Sequence, residues 1–156
     1  MYIDLHTHTT ASDGQYSPSE LINMAKEKGI QRFAITDHDT VSGLDEAAKT
    51  AETVDMNFIP GIEISTHKGV EIHMLGLYID YRNPELVREC EGFEESRANR
   101  AQRICEYLNN IKIPVVLEEV REYAGEGSIG RPHFARWLQE HGYVETRREA
   151  FSRYLD

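Results

Sequence analysis

The chain has 156 residues, of which 40% are hydrophobic and 28% charged, a composition that predicts a soluble globular domain and excludes a disordered chain. Its formal net charge of -10 argues against a general grip on a nucleic-acid backbone, although a few arginines or bound cations can still make one cleft positive. No apolar run approaches the roughly 20 residues that span a bilayer, and Met1 leads directly into a predicted strand, so we expect a cytoplasmic protein without membrane contact.

Four strands are predicted in the first half of the chain: Tyr2 to Leu5, Arg32 to Ile35, Phe58 to Ile64 and Ile72 to Ile79. The first three alternate with helices in the βα rhythm of a parallel sheet. Ser17, Pro18 and Glu20 form an N-terminal capping pattern for the first helix, and Gly29 is expected to end it.

Two further turns are predicted in this half. Ser42, followed by Asp45, indicates a capped start for the second helix. The stretch Thr66-His67-Lys68-Gly69 predicts a hairpin turn between the third and fourth strands.

The second half of the sequence is helical. The predicted helices run from Glu85 to about Asn110, Leu117 to Tyr123, Pro132 to Glu140 and Arg148 to Leu155. We expect residues 1–80 to form βα units and residues 81–156 to form a helical insertion. Cys90 and Cys105 have no CxxC partner and are expected to be free thiols in a reducing compartment.

Metal-binding residue types stand at the end of the first predicted strand. His6 and His8 are two residues apart, so they project to the same side, and Asp13 can reach back from the following loop. Taken alone, such a pair is more often two surface or core histidines.

The pattern repeats at the other strand ends. His38 closes the second strand, Glu63 lies in the third and His73 in the fourth. Carboxylates and imidazoles set among apolar residues are costly unless they are paired or bind metal, so the repeats predict one shared site. Asp37 and Asp39 flank His38, and either orientation of its ring or plain turn chemistry would explain them.

Two arginines interrupt the apolar stripe of the long helix. The stripe residues recur at helical spacing: Leu86, Cys90, Phe93, Ile104 and Leu108. Arg97 and Arg100 fall within it, whereas Arg103 lies off it and is expected to be solvated. The two arginines either reach water or pair with Glu94 or Glu118, or they hold phosphate with their forked donors.

Arg131 and His133 open a predicted helix, where free backbone N–H groups favour an anion. They are candidates for phosphate binding, although Pro132 at a helix start is ordinary and His133 is also explained as a capping residue. His67 and His141 are expected to be surface residues.

The motifs DLHTHTTASDG, AITDHDTVSGL, PGIEIS and IHMLG, in that order, together with GRPHFAR, resemble the PHP (polymerase and histidinol phosphatase) metallophosphoesterases. The resemblance covers the whole chain and is closest to small bacterial members that act on nucleotide phosphates. It implies the N-terminal part of a distorted seven-stranded (β/α) barrel with a helical insertion and a site for up to three metal ions.

The resemblance also implies roles for particular residues. His6, His8 and Glu63 would hold one ion, Asp13 and His38 a second, and a bridging Glu63 with His73 a third. Mixed nitrogen and oxygen ligands suit manganese, iron or zinc. A water activated by metal is the expected nucleophile, so no protein residue is assigned that role. GRPHFAR favours the phosphate-binding interpretation for Arg131 and His133. Arg97 and Arg100, from the apolar stripe, are expected to stabilise phosphate charge together with them.

The implied activity is hydrolysis of a phosphate ester of a small nucleotide, with a nucleoside 3',5'-bisphosphate as the leading substrate, or of a short nucleic-acid 5' end. Histidinol-phosphate hydrolysis and nuclease activity are the alternatives within the family. The family pattern continues with an Ala-His-Pro and a Ser-Asp-Phe-His segment that carry metal ligands, whereas this sequence ends at Asp156.

Three or four strands do not close such a barrel. We therefore expect this polypeptide to self-associate through its exposed strand edges or to be cut from a longer chain. We expect it to bind fewer ions, more weakly, with little turnover. The alternative from another class is a non-catalytic metal-binding fragment.

Overall fold

The computed structural model describes residues 2–67, 71–125 and 127–155. Within these ranges the elements follow in chain order: β1 (Tyr2–Asp4), α1 (Pro18–Glu27), β2 (Ile30–Ile35), α2 (Leu44–Thr53), β3 (Asn57–His67), β4 (Glu71–Leu77), α3 (Pro84–Asn110), α4 (Leu117–Ala124), α5 (Arg131–Glu140), α6 (Arg147–Ala150) and a π-helical turn (Phe151–Leu155). The α/β prediction is confirmed, with the last predicted helix divided into α6 and the π-helical turn. Among the described residues, none of the helices has the length and apolarity needed to cross a membrane.

The sheet has the order β1-β2-β3-β4. β1 pairs with β2 and β2 with β3 in parallel, which confirms the predicted βα rhythm. β4 pairs antiparallel with β3, placing Ser65 opposite His73, so the two strands form the predicted hairpin. The predicted turn runs into residues 68–70, and these residues and the side chain of His67 lie outside the described part of the chain.

The residues at the helix starts confirm one predicted cap, that of α1, and contradict the one predicted for α2. The side chain of Ser17 accepts the N–H of Glu20, whose carboxylate accepts the N–H of Ser17 at 2.8 Å, which is the predicted capping box. Gly29 follows α1 with a positive φ of 72°. The Ser42 cap was wrong: Gly43 caps α2, because Ser42 is engaged in a turn in which its N–H donates to Oγ1 of Thr40 at 3.2 Å.

The chain divides into two compact units, residues 1–94 and 95–156. The first has its core between the sheet and the helices α1 and α2, built on Ile22, Phe33 and Leu44. The second has a separate core around Leu108, Phe134, Trp137 and others. The predicted domain limits, 1–80 and 81–156, stay a prediction, since α3 runs through residue 94 and belongs to both units.

Candidate metal site

The strand end that carries His6 and His8 is fixed by the threonine between them. Oγ1 of Thr7 donates to the carbonyl of Ala34 at 2.7 Å, and the carbonyl of Thr7 accepts the N–H of Thr36 at 2.8 Å. Thr7 therefore holds this segment against the end of β2. Because neighbouring residues in an extended chain face opposite ways, the two flanking imidazoles project to the same side.

A backbone bridge places His38 beside Glu63. The N–H of Glu63 donates to the carbonyl of Asp37 at 3.1 Å, and the N–H of Asp39 donates to the carbonyl of Glu63 at 3.0 Å. These two bonds continue the parallel pairing with β3 beyond the end of β2. The residue opposite Glu63 is therefore the histidine, and the register of the sheet fixes their proximity.

Glu63 is the centre of the site, with four imidazoles around its carboxylate. Its Oε2 lies 3.1 Å from Nε2 of His6, 3.1 Å from Nε2 of His8 and 3.3 Å from Nδ1 of His38. Its Oε1 lies 2.9 Å from Nδ1 of His73. Glu63 is only 4% exposed, so this carboxylate can bridge donors on three strand ends without competition from bulk water.

Asp13 supplies the second carboxylate of the same cluster. Its Oδ1 is 3.5 Å from Nδ1 of His8, and its Oδ2 is 3.6 Å from Nε2 of His38. The ring centroids of these two histidines are 4.5 Å apart. Asp13 thus spans the imidazoles from the side opposite Glu63.

The six residues form three overlapping groups whose ligand atoms lie within 4.8 Å of one another: His6, His8 and Glu63; His8, Asp13 and His38; His38, Glu63 and His73. This is the convergence that the strand-end pattern predicted. The donor set fits a divalent ion, because imidazole nitrogens and carboxylate oxygens are the ligands of zinc, manganese and iron. Among the described residues, the buried Nδ1 of His8 makes no hydrogen bond, which suits an atom that binds metal. The assignment of the six as ligands stays a prediction.

The surroundings of Glu63 act on its pKa in opposite directions. Burial raises the pKa, whereas the hydrogen bond from His6, the charge of His38 and the hydrogen bond from His73 lower it, and together they hold it below the ordinary value for glutamate. The pocket therefore stabilises the charged carboxylate, the form that bridges cations.

Sequence reasoning missed how Asp37 is used. This carboxylate is 2% exposed and accepts hydrogen bonds from the backbone N–H and the hydroxyl of Thr9 and from the hydroxyl of Ser12, at 2.6 to 2.7 Å. It fastens the loop after His8. Asp39 likewise fastens backbone, because its Oδ1 accepts the N–H of Ser65 at 2.7 Å. The run of small hydroxyl residues in TTASDG was the available signal for Asp37.

The helical unit contains the four predicted phosphate-binding residues. Arg97 is 7% exposed, Arg100 is half-buried and Arg103 is exposed, as the stripe predicted. Arg97 does not reach out to water. Its Nη1 would lie 3.8 Å from a Cβ at Gly130, the residue before α5.

His133 and Arg131 lie at the same helix start. His133 is 6% exposed, and its Nδ1 accepts the N–H of Gly130 at 2.9 Å, so it does act as a capping residue. Arg97 and His133 therefore meet at Gly130. The guanidinium of Arg131 lies over the ring of Phe151 at 5.8 Å. His141 is exposed at the end of α5, as expected.

Both cysteines are free and buried. Burial, with the charges of Asp39 and Glu94, raises the pKa of Cys90 to about 11. A thiol with this pKa stays protonated at neutral pH and is a poor nucleophile. Cys90 is therefore a core residue.

The comparisons with known proteins agree with the sequence resemblance. A family model described as PHP domain matches residues 4–154. A 5'-3' exoribonuclease of Escherichia coli is 41% identical over 97% of this chain and 53% of its own length. A 3',5'-nucleoside bisphosphate phosphatase of Chromobacterium violaceum is 35% identical over 98% of this chain and 54% of its own length.

A solved structure has the same fold. It is described as an amidohydrolase from Chromobacterium violaceum with bound sulfate and no metal, and it matches with a TM-score of 0.93 and 34% identity over 100% of this chain and 56% of its own. The chain thus spans about half the length of the relatives that it matches.

Proposed function

Because this chain belongs to the PHP domain family, we propose that it carries the metal site of a phosphoesterase that hydrolyses a phosphate ester of a nucleotide or of a nucleic-acid end. The observation that supports this function best is the gathering of six donor residues into three overlapping groups around Glu63. Four imidazoles and two carboxylates from separate strand ends are far more than an ordinary core would bring together.

The substrate class is inferred from the named relatives. One relative is a 3',5'-nucleoside bisphosphate phosphatase and another a 5'-3' exoribonuclease, and both names describe cleavage of phosphoester bonds in nucleotides. We propose a nucleoside 3',5'-bisphosphate as substrate. A short 5' end of RNA is the second candidate and stays in the test, because the exoribonuclease is 41% identical to this chain and the phosphatase 35%.

Each ligand has a distinct part in the proposed site. His6, His8 and Glu63 would hold one ion, Asp13 and His38 a second, and Glu63 with His73 a third, as the family resemblance implies. Manganese, iron or zinc, when bound, supply activation of water and neutralisation of phosphate charge. The protein supplies the arrangement: β3 carries the bridging carboxylate, and the strand register holds the imidazoles against it. No serine or thiolate nucleophile is required, in keeping with the protonated state of Cys90.

We propose that the helical unit binds the phosphate groups of the substrate. Arg97 and His133 meet at Gly130, the start of α5, where backbone N–H groups favour an anion. The full set of proposed phosphate-binding residues is Arg97, Arg100, Arg131 and His133. A substrate with two phosphate groups would use more of these donors than a monophosphate would.

The activity is tested on a polypeptide that also carries the Ala-His-Pro and Ser-Asp-Phe-His segments of the family pattern. Phosphate release is measured from three substrates: a nucleoside 3',5'-bisphosphate, a 5'-phosphorylated oligoribonucleotide and histidinol phosphate. Removal of divalent ions by a chelator should abolish release, and manganese should restore it. His8→Ala should lower turnover more than about 100-fold, since it removes a ligand outright and not just a ligand's partner. His141→Ala, which changes an exposed histidine of the other unit, is the matched control. Wild-type turnover and metal content in His8→Ala would contradict the function.

The phosphate-binding role is tested separately. Arg97→Lys keeps the charge but loses the forked donors, so it should lower kcat/KM for a bisphosphate more than for a monophosphate. Arg103→Lys makes the same change at an exposed position of the same helix and should have no effect. Equal losses on both substrates would exclude a second-phosphate role. Cytoplasmic location and self-association through the sheet edges stay predictions.

A further inference from the structure

The loop that connects two of the proposed ligands is held by polar contacts. Residues 9–12 lead from His8 to Asp13, and both Thr9 and Ser12 are buried, at 0% and 2% exposure. Both hydroxyls donate to one carboxylate, that of Asp37, with oxygen–oxygen distances of 2.6 Å each, and Oγ of Ser12 also lies 3.5 Å from Oδ1 of Asp13. The N–H of Thr9 donates to the same carboxylate at 2.7 Å. Three donors from one short loop therefore converge on a single side chain of another strand end.

The loop is closed tightly on itself as well. The carbonyl of Thr9 accepts the N–H of Ser12 at 3.1 Å and the N–H of Gly14 at 2.9 Å, and Oγ1 of Thr9 accepts the N–H of Ala11 at 3.1 Å. A Cβ on Gly14 would overlap the backbone carbonyl of His8, so the chain folds back against the residue that it left. Because the loop is closely bonded within itself, its contacts with Asp37 determine where Asp13 lies.

We propose that Asp37 is a positioning residue, whose carboxylate fixes the loop so that Asp13 meets His38 around one metal ion. This inference rests on the proposed metal site. Asp37 immediately precedes His38 in the chain, so one strand end both carries a proposed ligand and braces the loop that leads to Asp13. The hydrogen bond between Ser12 and Asp37 joins two segments 25 residues apart in sequence. It thereby preorganises proposed ligands that come from both segments.

The test compares the same substitution at two threonines. Thr9→Val removes a hydroxyl bonded to Asp37 at 2.6 Å. Thr50→Val removes a hydroxyl of α2 that lies 2.9 Å from Oγ of Ser19 in α1, a contact that involves none of the proposed ligands. We call the contacts of Thr9 and Ser12 with Asp37 the clamp. Ser12→Ala is a second variant of the clamp, in case Thr9→Val does not fold. Binding of Mn²⁺ is measured by equilibrium dialysis and elemental analysis, and circular dichroism checks that each variant is folded.

We expect Thr9→Val and Ser12→Ala to weaken the binding of one Mn²⁺ by about 10- to 100-fold, the range for residues that hold a ligand in place, while Thr50→Val binds as the wild type does. Asp13→Ala should weaken the binding of the same ion. In the Asp13→Ala background, adding Thr9→Val should cause no further weakening, because the clamp acts through Asp13.

The outcomes separate the clamp from the metal site. Mn²⁺ binding in Thr9→Val equal to that of Thr50→Val would overturn the role of Asp37 and leave the metal site standing. A further loss of the full factor in the Asp13→Ala background would also overturn it, since the effect would then not pass through the ligand. Absence of Mn²⁺ binding by the wild-type protein would refute the metal site and the clamp together.

Discussion

The bridging position of Glu63 leads to an unequal effect of two chemically identical substitutions. Glu63→Gln and Asp13→Asn each replace a carboxylate by an amide of nearly the same shape. Glu63 belongs to two of the three ligand groups, however, whereas Asp13 belongs to one. Glu63→Gln should therefore weaken two ions, and Asp13→Asn only one.

The size of the loss follows from the geometry of the carboxylate. Its two oxygens face different imidazoles, Oε2 toward His6, His8 and His38 and Oε1 toward His73 at 2.9 Å. An amide keeps one oxygen and replaces the other by an NH₂ group, which has no lone pair for a metal. One of the two affected ions loses a ligand atom and both lose the negative charge. We expect each affinity to fall more than about 100-fold, the upper range for changes one step removed from the metal.

Mn²⁺ titration followed by calorimetry, with the bound ion counted by elemental analysis, measures both effects. The number of ions lost by Glu63→Gln should be twice the number lost by Asp13→Asn. Thermal unfolding in chelator checks that both proteins are folded without metal. Equal losses in the two variants would refute the bridging role of Glu63, even if each variant lost activity.

Three further predictions concern the packing around the site and in the helical unit. Gly14→Ala should destabilise the fold by about 1–3 kcal/mol in chemical denaturation, because the new Cβ would meet the backbone of His8. Gly92→Ala in α3, where a Cβ would meet nothing within 4 Å, should stabilise the protein by about 0.5–1 kcal/mol. The reverse order of stability would contradict this. Trp137→Ala should cost about 3–5 kcal/mol, since the indole is 2% exposed and its Nε1 donates to Glu119 at 2.9 Å, and a cost near zero would show that the core of the helical unit is loosely packed. Cys90, with a pKa of about 11, should resist a thiol reagent at pH 8 until the protein is denatured, and rapid labelling of the native protein would refute its burial.

The sequence predicted the parts of the site that depend on local periodicity. Alternation in a strand placed His6 and His8 on one side, and the βα rhythm placed the ends of β1, β2 and β3 together, so the gathering of the ligands followed from the order of the elements. The box at Ser17 was predictable for the same reason, because both of its hydrogen bonds join residues three apart.

Partners chosen by tertiary structure were not predictable in this way. Asp37 has equally good local uses, and only the folded loop shows that its partners are Thr9 and Ser12. Ser42 has the residue type of a helix cap, but its backbone N–H is used in a turn with Thr40, and Gly43 occupies the cap position before α2. Local rules gave a correct list of possibilities for these residues, and packing decided between them.

The pairing of β1, β2 and β3 in one register has a consequence for the amount of folded protein in the cell. His6 and Glu63 are 57 residues apart in sequence and meet only when β1, β2 and β3 have paired in register. The unfolded chain therefore has no assembled ligand group, and an ion that binds only the folded sheet stabilises it by mass action, by about 2.7 kcal/mol at a free concentration 100 times its Kd. Metal starvation should then increase the unfolded fraction and expose the chain to proteases, so that the amount of protein, as well as its activity, follows the supply of the ion.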